Sequence, residues 1–423
     1  MSKTFRDWNV EQHWLLPPSV MDFVPADHVA HFIRDTVREQ LDMSGILAPY
    51  EREERGYPPY HPVMMTALLL YAYCQGVYSS RRIARGCEER MDFMAVTGLN
   101  RPDFRTVSDF RKRHLDVLQG LFEQVLTLCQ QAGLVKLGHV SLDGTKVKAN
   151  ASKHKAMSYE RMHETEKRLR REVREWFRQA KSADEAEDRL HGGRRRGDEM
   201  PGWVADKQQR IARIREAREA LEAQARAAGQ SAPEPKAQRN FTDPESRIMR
   251  KAGKEYVQAY NAQAAVDCTA QVIVAQSLSN NAADVQQLAP ILRQIKQNTG
   301  RQAQEFSADA GYCSEGNLAV LARHHVDAYI ATGRQRHHES SAAGRRRLAG
   351  TRVAAMRTKL TRAGRRSRYR LRKSVVEPVF GQIKHARGFR QFMLRGLAKA
   401  QGEWSLICTV HNLLKLAKVM KNP

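Results

Sequence analysis

The hydrophobic pattern changes period near residue 138, and this change constrains the fold more than any other feature. Before it, apolar residues recur at helical spacing. Pro62 opens the run VMMTALLLYAYC, Ser79 or Ser80 can cap a helix over SRRIARGCEER, and Val107, Phe110, Leu118, Phe122 and Leu126 form a stripe. Thr106 and Asp109 have capping-box spacing ahead of that stripe. After residue 138 the pattern alternates. HVSLD at His139–Asp143 and Lys146–Ala149 predict strands separated by Gly144, and Tyr256–Val266 with Gln271–Leu278 predict a hairpin turning at 267–270. A helix follows, with Asp284 near its N-cap, then a strand at Glu305–Ala308, a helix at Glu315–Arg323 and a strand at Val326–Ala331. This order predicts an α/β fold, a mixed sheet flanked by helices, behind an all-α N-terminal domain. The expected boundaries are 1–135 and 136–423.

Between the first strand and the hairpin, about 153–250 reads as an insert. Leu169, Val173, Trp176, Phe177 and Ala180 form one helical stripe and Ile211, Ile214 and Leu221 another, with GGRRRGDEMPG between them. Two such faces predict an antiparallel helical hairpin. The Arg/Gly/Ser-rich stretch 333–366 reads as a loop.

Charge narrows the range of partners. The chain carries 71 Lys and Arg against 46 Asp and Glu, a net charge of +25. From residue 331 onward 23 Lys or Arg face three acids, Glu339, Glu377 and Glu403. Val375, Val376, Val379, Phe380 and Ile383 run through the same stretch, so it reads as a folded basic surface suited to a polyanion. A second basic face, Arg111, Lys112 and Arg113, lies opposite the N-terminal stripe and is a candidate DNA contact. The longest apolar run is shorter than the ~20 residues of a bilayer span. With no apolar segment at the N-terminus, a cytoplasmic protein with no membrane partner is expected. The six cysteines are scattered without metal-ligand spacing, and His28 and His31 have no further ligands nearby in sequence.

Three acids stand out against this basic background. Asp143 ends the strand VSLD, Asp309 follows the strand EFSA, and Glu377 lies on an apolar-striped helix. Two carboxylates at adjacent strand ends and one from a crossing helix can converge on one point, where a divalent cation offsets their repulsion. Mg²⁺ suits an all-oxygen donor set that leaves positions open for phosphate. Two such ions ~3.5–4 Å apart can serve the attacking and leaving oxygens of phosphodiester cleavage. Each acid also has an ordinary explanation. Asp143-Gly144 is a turn pair, Asp309 can end its strand, and Glu377 can pair with Lys373.

Leu142-Asp143-Gly144-Thr145, Ala308-Asp309-Ala310-Gly311-Tyr312, and Tyr369, Arg372, Glu377 and Lys384 occur in that order. In these motifs, and in VEPVFGQIKHARGFRQFMLRGLAKAQGEW, the chain resembles the DDE transposases of bacterial insertion sequences, in the branch with a Tyr-Arg-Glu-Lys signature. The helical N-terminus (YPPYHPVMMTALLLYAY, FRTVSDFRKRH) resembles the domain that usually precedes theirs. The resemblance implies an RNase H-like catalytic domain with two Mg²⁺ ions, for which Mn²⁺ substitutes. It implies Asp143, Asp309 and Glu377 as catalytic metal ligands, and Tyr369, Arg372 and Lys384 on the phosphates of the element ends. It further implies double-stranded DNA as partner, at element ends and target, a homodimer assembled on DNA and a nucleoid-associated location. Water would cut at the element end, and the freed 3′-OH would join target DNA. One departure stands: the signature places three residues between Arg and Glu, where Arg372 has four and Lys373 three. Arg372 is expected in the role, with the helix starting near Ser374. An RNase H-like endonuclease without strand transfer and a non-catalytic DNA-binding derivative are the rival readings. Tyrosine recombination lacks a matching Arg/His set around Tyr312 or Tyr369. Trp404 is expected in a helix core rather than stacked on a base.

Overall fold

The computed structural model describes residues 19–51, 58–191, 202–251, 255–333 and 350–420. The chain divides into two compact units, Met1–Ala132 with Thr409–Pro423, and Gly133–Cys408. Among the described residues no helix is long and apolar enough to cross a membrane.

The first unit is helical: α1 (Val29–Glu39), α2 (Ser44–Glu51), α3 (Pro62–Cys74), α4 (Ser80–Glu89), α5 (Met91–Thr97), α6 (Phe104–Arg113) and α7 (Leu115–Gln131). α3 is apolar on every side, and Met65 through Cys74 are all buried, so it forms the centre of the unit. His28 caps α1 by accepting from the Ala30 amide. The expected capping box at Thr106 and Asp109 does not form. Asp103 caps α6 instead, accepting from the Arg105 and Thr106 amides at 2.6 and 3.0 Å, which places Thr106 inside the helix. The stripe from Val107 to Leu126 spans two helices, broken at His114.

Arg111 does not lie on the basic face expected of it. It is 5% exposed and donates to the Tyr73 hydroxyl (3.0 Å), the Tyr78 carbonyl (2.9 Å) and Ser80 Oγ (3.3 Å). Consecutive helical residues point ~100° apart, so this inward turn leaves Lys112 and Arg113 exposed beside it.

The second unit begins with β1 (His139–Lys148), one continuous strand through Gly144. After β2 (Ala156–Ser158) come the helices α8 (Tyr159–His191) and α9 (Gly202–Ala227), then β3 (Gln238–Asn240), which pairs with β2. α8 and α9 form the expected hairpin around Met162, Leu169, Val173, Val204, Ile211, Ile214 and Leu221. Buried Glu166 ties it with Arg170 on its own helix and Arg218 across the pair. Phe177, expected in the stripe, is exposed, and residues 192–201 between the helices lie outside those described.

The main sheet continues with β4 (Arg247–Arg250), β5 (Tyr256–Asp267), β6 (Ile273–Ser279), β7 (Glu305–Ala308) and β8 (Asp327–Ile330). Its order is β4-β5-β1-β7-β8, with β6 also paired to β5. β1 is antiparallel to β5 and parallel to β7, and β7 is parallel to β8. α10 (Leu288–Thr299) packs on β6, and α11 (Glu315–Arg323) and α12 (Arg352–Ala363) pack by β8. α13 (Leu371–Gly381) crosses β1, β5 and β7. The last helix, α14 (Leu397–Met420), starts in this unit, where buried Trp404 donates from Nε1 to the Gln263 carbonyl at 3.1 Å. This is an RNase H-like mixed sheet flanked by helices.

The loop expected at 333–366 is partly a helix. Residues 334–349 lie outside those described, but α12 fills 352–363. Val353, Met356 and Leu360 are buried at helical spacing and Thr351 caps the N-terminus through the Ala354 amide, a stripe masked in the sequence by surrounding arginines.

Candidate active site

The ends of two parallel strands build the site. β1 and β7 run in register from His139 against Glu305 to Leu142 against Ala308, where β7 stops. Asp143 and Asp309 are the next residues on each strand, so they emerge side by side where the ladder ends. Ligands bind outside the carboxyl ends of parallel strands for this reason. β1 continues beyond Asp143 paired with β5, and its other edge gains a partner among the described residues only at Lys148, which bridges to Gln391, so that edge is open at the acids.

Each aspartate is held by a backbone amide just after it. Asp143 Oδ1 accepts from the Gly144 amide at 2.9 Å, and Asp309 Oδ1 accepts from the Gly311 amide at 2.8 Å. Burial pushes the Asp143 carboxyl up to about 6, Arg372 opposing the shift and the nearby Asp309 charge adding to it. Burial also raises Asp309, against its loop hydrogen bond, and Asp284 contributes to the rise. The Asp143 side chain keeps 18% exposure, enough to meet a ligand from the mouth of the site.

Glu377 comes from α13. That helix starts at Leu371, after a 3₁₀ turn at Arg368–Arg370, and not near Ser374 as expected. Pro378 has no N–H for the Ser374 carbonyl, and the Gln271 side chain donates to that carbonyl at 2.9 Å instead. The helix therefore continues past the proline and presents Glu377. The partner of Glu377 is Arg372, not Lys373. Arg372 donates from Nη1 to Asp143 Oδ2 (2.6 Å) and from Nη2 to Glu377 Oε1 (3.0 Å), so one guanidinium bridges two of the three acids. Lys373 is exposed.

Tyr369 is buried in the preceding 3₁₀ turn, and burial raises its phenol while the Arg372 charge opposes the rise. Lys384 lies on a π-helical turn, Gln382–Ala386, that continues α13. Its ammonium donates to Thr145 Oγ1 and, at 3.1 Å, to the Lys146 carbonyl. Burial and the neighbouring Lys251 lower it to about 8, with Asp143 opposing. Glu377 and Lys384 thus both reach the DGT segment of β1, one through Arg372 and one directly.

Residues 227–413 match the family model for the transposase DDE domain. The chain carries a transposase DDE domain. Residues 18–113 match the model Transposase domain (DUF772), which places a second transposase domain ahead of it. Among curated proteins and solved structures, none matches the chain. The DDE match opens at the end of α9 and includes Asp309, Tyr369, Arg372, Glu377 and Lys384. Asp143 precedes it and joins the site through the pairing of β1 with β7.

DDE transposases generally use a divalent metal, and the donor chemistry of this DDE domain suits one. Asp143 and Asp309 offer hard carboxylate oxygens at adjacent strand ends, and burial makes both poorer at holding charge without a cation. Among the described residues no three acids, histidines or cysteines are assembled as a finished cage. Arg372 stands between Asp143 and Glu377 and supplies the positive charge there.

Sequence reasoning placed Asp284 as a cap-region residue and missed its surroundings. Its Oδ1 accepts from Asn261 Nδ2 (2.6 Å), Gln263 Nε2 (2.9 Å) and Lys146 Nζ (3.4 Å). The available signal was polar: Asn261 and Gln263 stand in YVQAYNAQAAV, a strand buried on both faces from Val257 onward, at the two-residue spacing that puts them on one side.

Proposed function

We propose that this protein is the transposase of an insertion sequence, of the Tyr-Arg-Glu-Lys type, acting on the element's terminal inverted repeats. The register that brings Asp143 to the strand end beside Asp309, itself inside the DDE-domain match, carries the reading. Asp143, Asp309 and Glu377 hold divalent cations, Mg²⁺ by preference, and bound cations supply the charge that activates an attacking oxygen and stabilises a leaving one.

The rest of the chemistry falls to the chain itself. Arg372 is a fork with two parallel donors, equally suited to carboxylates and to a phosphate. In the DNA-free protein it neutralises Asp143 and Glu377. With a DNA strand at the site it turns to a phosphate and frees both acids. Tyr369 orients that fork. Lys384, anchored on Thr145, meets a second phosphate as a point charge. Lys112 and Arg113 contact DNA outside the site. The phosphodiester at the element end is hydrolysed, leaving a 3′-OH, and that 3′-OH displaces a 3′ oxygen of the target strand at the same centre. The two halves of such a reaction fit a dimer assembled on paired ends.

The test uses a labelled duplex carrying an element end, supercoiled plasmid as target, and Mg²⁺. Cleavage at the end followed by end-to-plasmid joining is expected, with Asp143→Asn inactive in both. Cleavage without joining points to an endonuclease, and end binding without either step points to a DNA-binding derivative.

A further inference from the structure

Two glycines of the site motifs have negative or extended backbone angles, so conformation does not demand them. Space does. A Cβ on Gly144 would stand 2.5 Å from Gln263 Nε2, 2.8 Å from Asp284 Oδ1 and 3.1 Å from the Tyr312 hydroxyl. A Cβ on Gly311 would stand 3.0 Å from Asp309 Oδ1 and 3.3 Å from Asp284 Oδ2. The strand at Gly144 and the turn at Gly311 are both pared to glycine on the sides that face one carboxylate, that of Asp284.

That carboxylate is held firmly. Oδ1 takes hydrogen bonds from Asn261, Gln263 and Lys146, and Tyr312 fixes Gln263 by donating to its Oε1. Asn261 is fully buried and spends its amide group on Asp284 and the Asn281 carbonyl, leaving its own Oδ1 without a partner. A buried unpaired oxygen is costly. The arrangement tolerates that cost to keep Asp284 in place. The oxygen on the other side, Oδ2, faces the Gly311 loop beside Asp309.

We propose that Asp284 is a positioning residue of the DDE site: it wedges the Asp143 segment of β1 and the Asp309 turn at fixed spacing and adds a negative charge that tightens the hold of these two acids on a divalent cation. The inference rests on the functional reading above. Asp284 acts through its neighbours and through its field, in the manner of groups behind a metal's direct ligands, whose loss costs about 10–100-fold in metal affinity.

Asp284→Asn separates charge from shape, because the amide oxygen still accepts from Asn261 and Gln263. Mn²⁺ binding to the full chain on an element-end duplex, read by electron paramagnetic resonance against the duplex alone, should weaken about tenfold. Single-turnover end cleavage should need about tenfold more Mg²⁺, with the rate at saturating Mg²⁺ close to that of the parent. Asp143→Asn is run alongside and should not recover at any Mg²⁺ concentration. A folded Asp284→Asn protein with parental Mn²⁺ affinity and Mg²⁺ requirement overturns the role of Asp284. An active Asp143→Asn protein overturns the functional reading instead. Thermal unfolding reports on folding, and if Asp284→Asn does not fold, Asp284→Ser takes its place under the same criteria.

Discussion

α6 in the first unit and α13 in the second each carry an arginine followed by a lysine, and in each pair the arginine turns inward while the lysine stays in solvent. Arg111 ends on neutral acceptors, two of them oxygens of the tyrosines Tyr73 and Tyr78, with almost no exposure. Arg372 ends on two carboxylates at the open end of a sheet, and its side chain keeps 16% exposure. A guanidinium on neutral buried acceptors is a fixed strut, since nothing offered from solvent competes for it. A guanidinium on acids at a partly open mouth is a counter-charge, which a cation and a phosphate together can replace. The acceptors, not the arginine, separate structure from function.

The acids beneath Arg372 give the sharpest version of this contrast. Asp143→Asn and Asp309→Asn should each lower end cleavage on the order of 10³-fold or more, since each removes an anionic ligand. Binding to the element end should persist, because affinity comes from basic residues. Near-parental cleavage by either variant in Mg²⁺ would remove that aspartate from the site.

Arg372→Ala comes next. Cleavage should fall about 10²-fold, as expected for loss of a charge-assisted fork at a reacting phosphate. Melting temperature should change little by comparison, because the acids it leaves are at the mouth of the site and can regain water. Arg111→Ala should do the reverse. Losing three hydrogen bonds and a buried side chain should destabilise the first unit by about 2 kcal/mol, and cleavage below the melting transition should stay within a few-fold of the parent. An Arg111→Ala protein of parental stability that has lost end binding would return Arg111 to the DNA-facing surface and erase the contrast between the two helices.

The sequence was informative where local pattern decides structure. An apolar strand ending in Asp-Gly, and a second ending in Asp-Ala-Gly, located Asp143 and Asp309 before any pairing was visible. Their convergence needed only that the two strands be parallel neighbours. Local pattern misplaces Arg111 because the groups that draw it inward, Tyr73, Tyr78 and Ser80, are more than thirty residues away. Sequence places Asp284 only near a helix N-cap for the same reason. Its neighbours Gly144, Asn261, Gln263 and Gly311 come from three separate segments, and no window along the chain contains them all. The helix start at Leu371 was missed because the basic run before Val375 conceals it, whereas the proline inside α13 did no harm once Gln271 served the orphaned carbonyl.

Lys384→Ala should have a smaller effect, about tenfold on cleavage. The ammonium is held to Thr145 and the Lys146 carbonyl, so part of its loss is local loosening of β1. End binding should become less salt-dependent by about one ion. Lys384→Arg is the control. If phosphate contact is the role, charge retained at this position should restore the salt slope even where cleavage stays low. An unchanged slope in Lys384→Ala would confine Lys384 to supporting β1.

The smallest effects belong to the outward lysines, and they test whether the two helices meet DNA in the same way. Lys112 pairs with Asp109 at 3.3 Å on the same exposed face, a pair worth about a few tenths of a kcal/mol. Lys112→Ala and Lys373→Ala should therefore leave stability and single-turnover cleavage near parental. Each should lower end affinity modestly and flatten its dependence on log salt by about one, the signature of a lost phosphate contact. The two differ in which DNA reports them. Lys112 lies in the domain proposed to bind element ends, so its loss should weaken binding to a cognate end more than to random duplex. Lys373 stands beside the site where any strand must pass, so its loss should weaken both equally. Competition titrations at several salt concentrations measure both quantities. A larger cleavage defect in Lys373→Ala than in Arg372→Ala would reverse the assignment within α13. The exposed lysine would then take the phosphate, and Arg372, like Arg111, would be a strut.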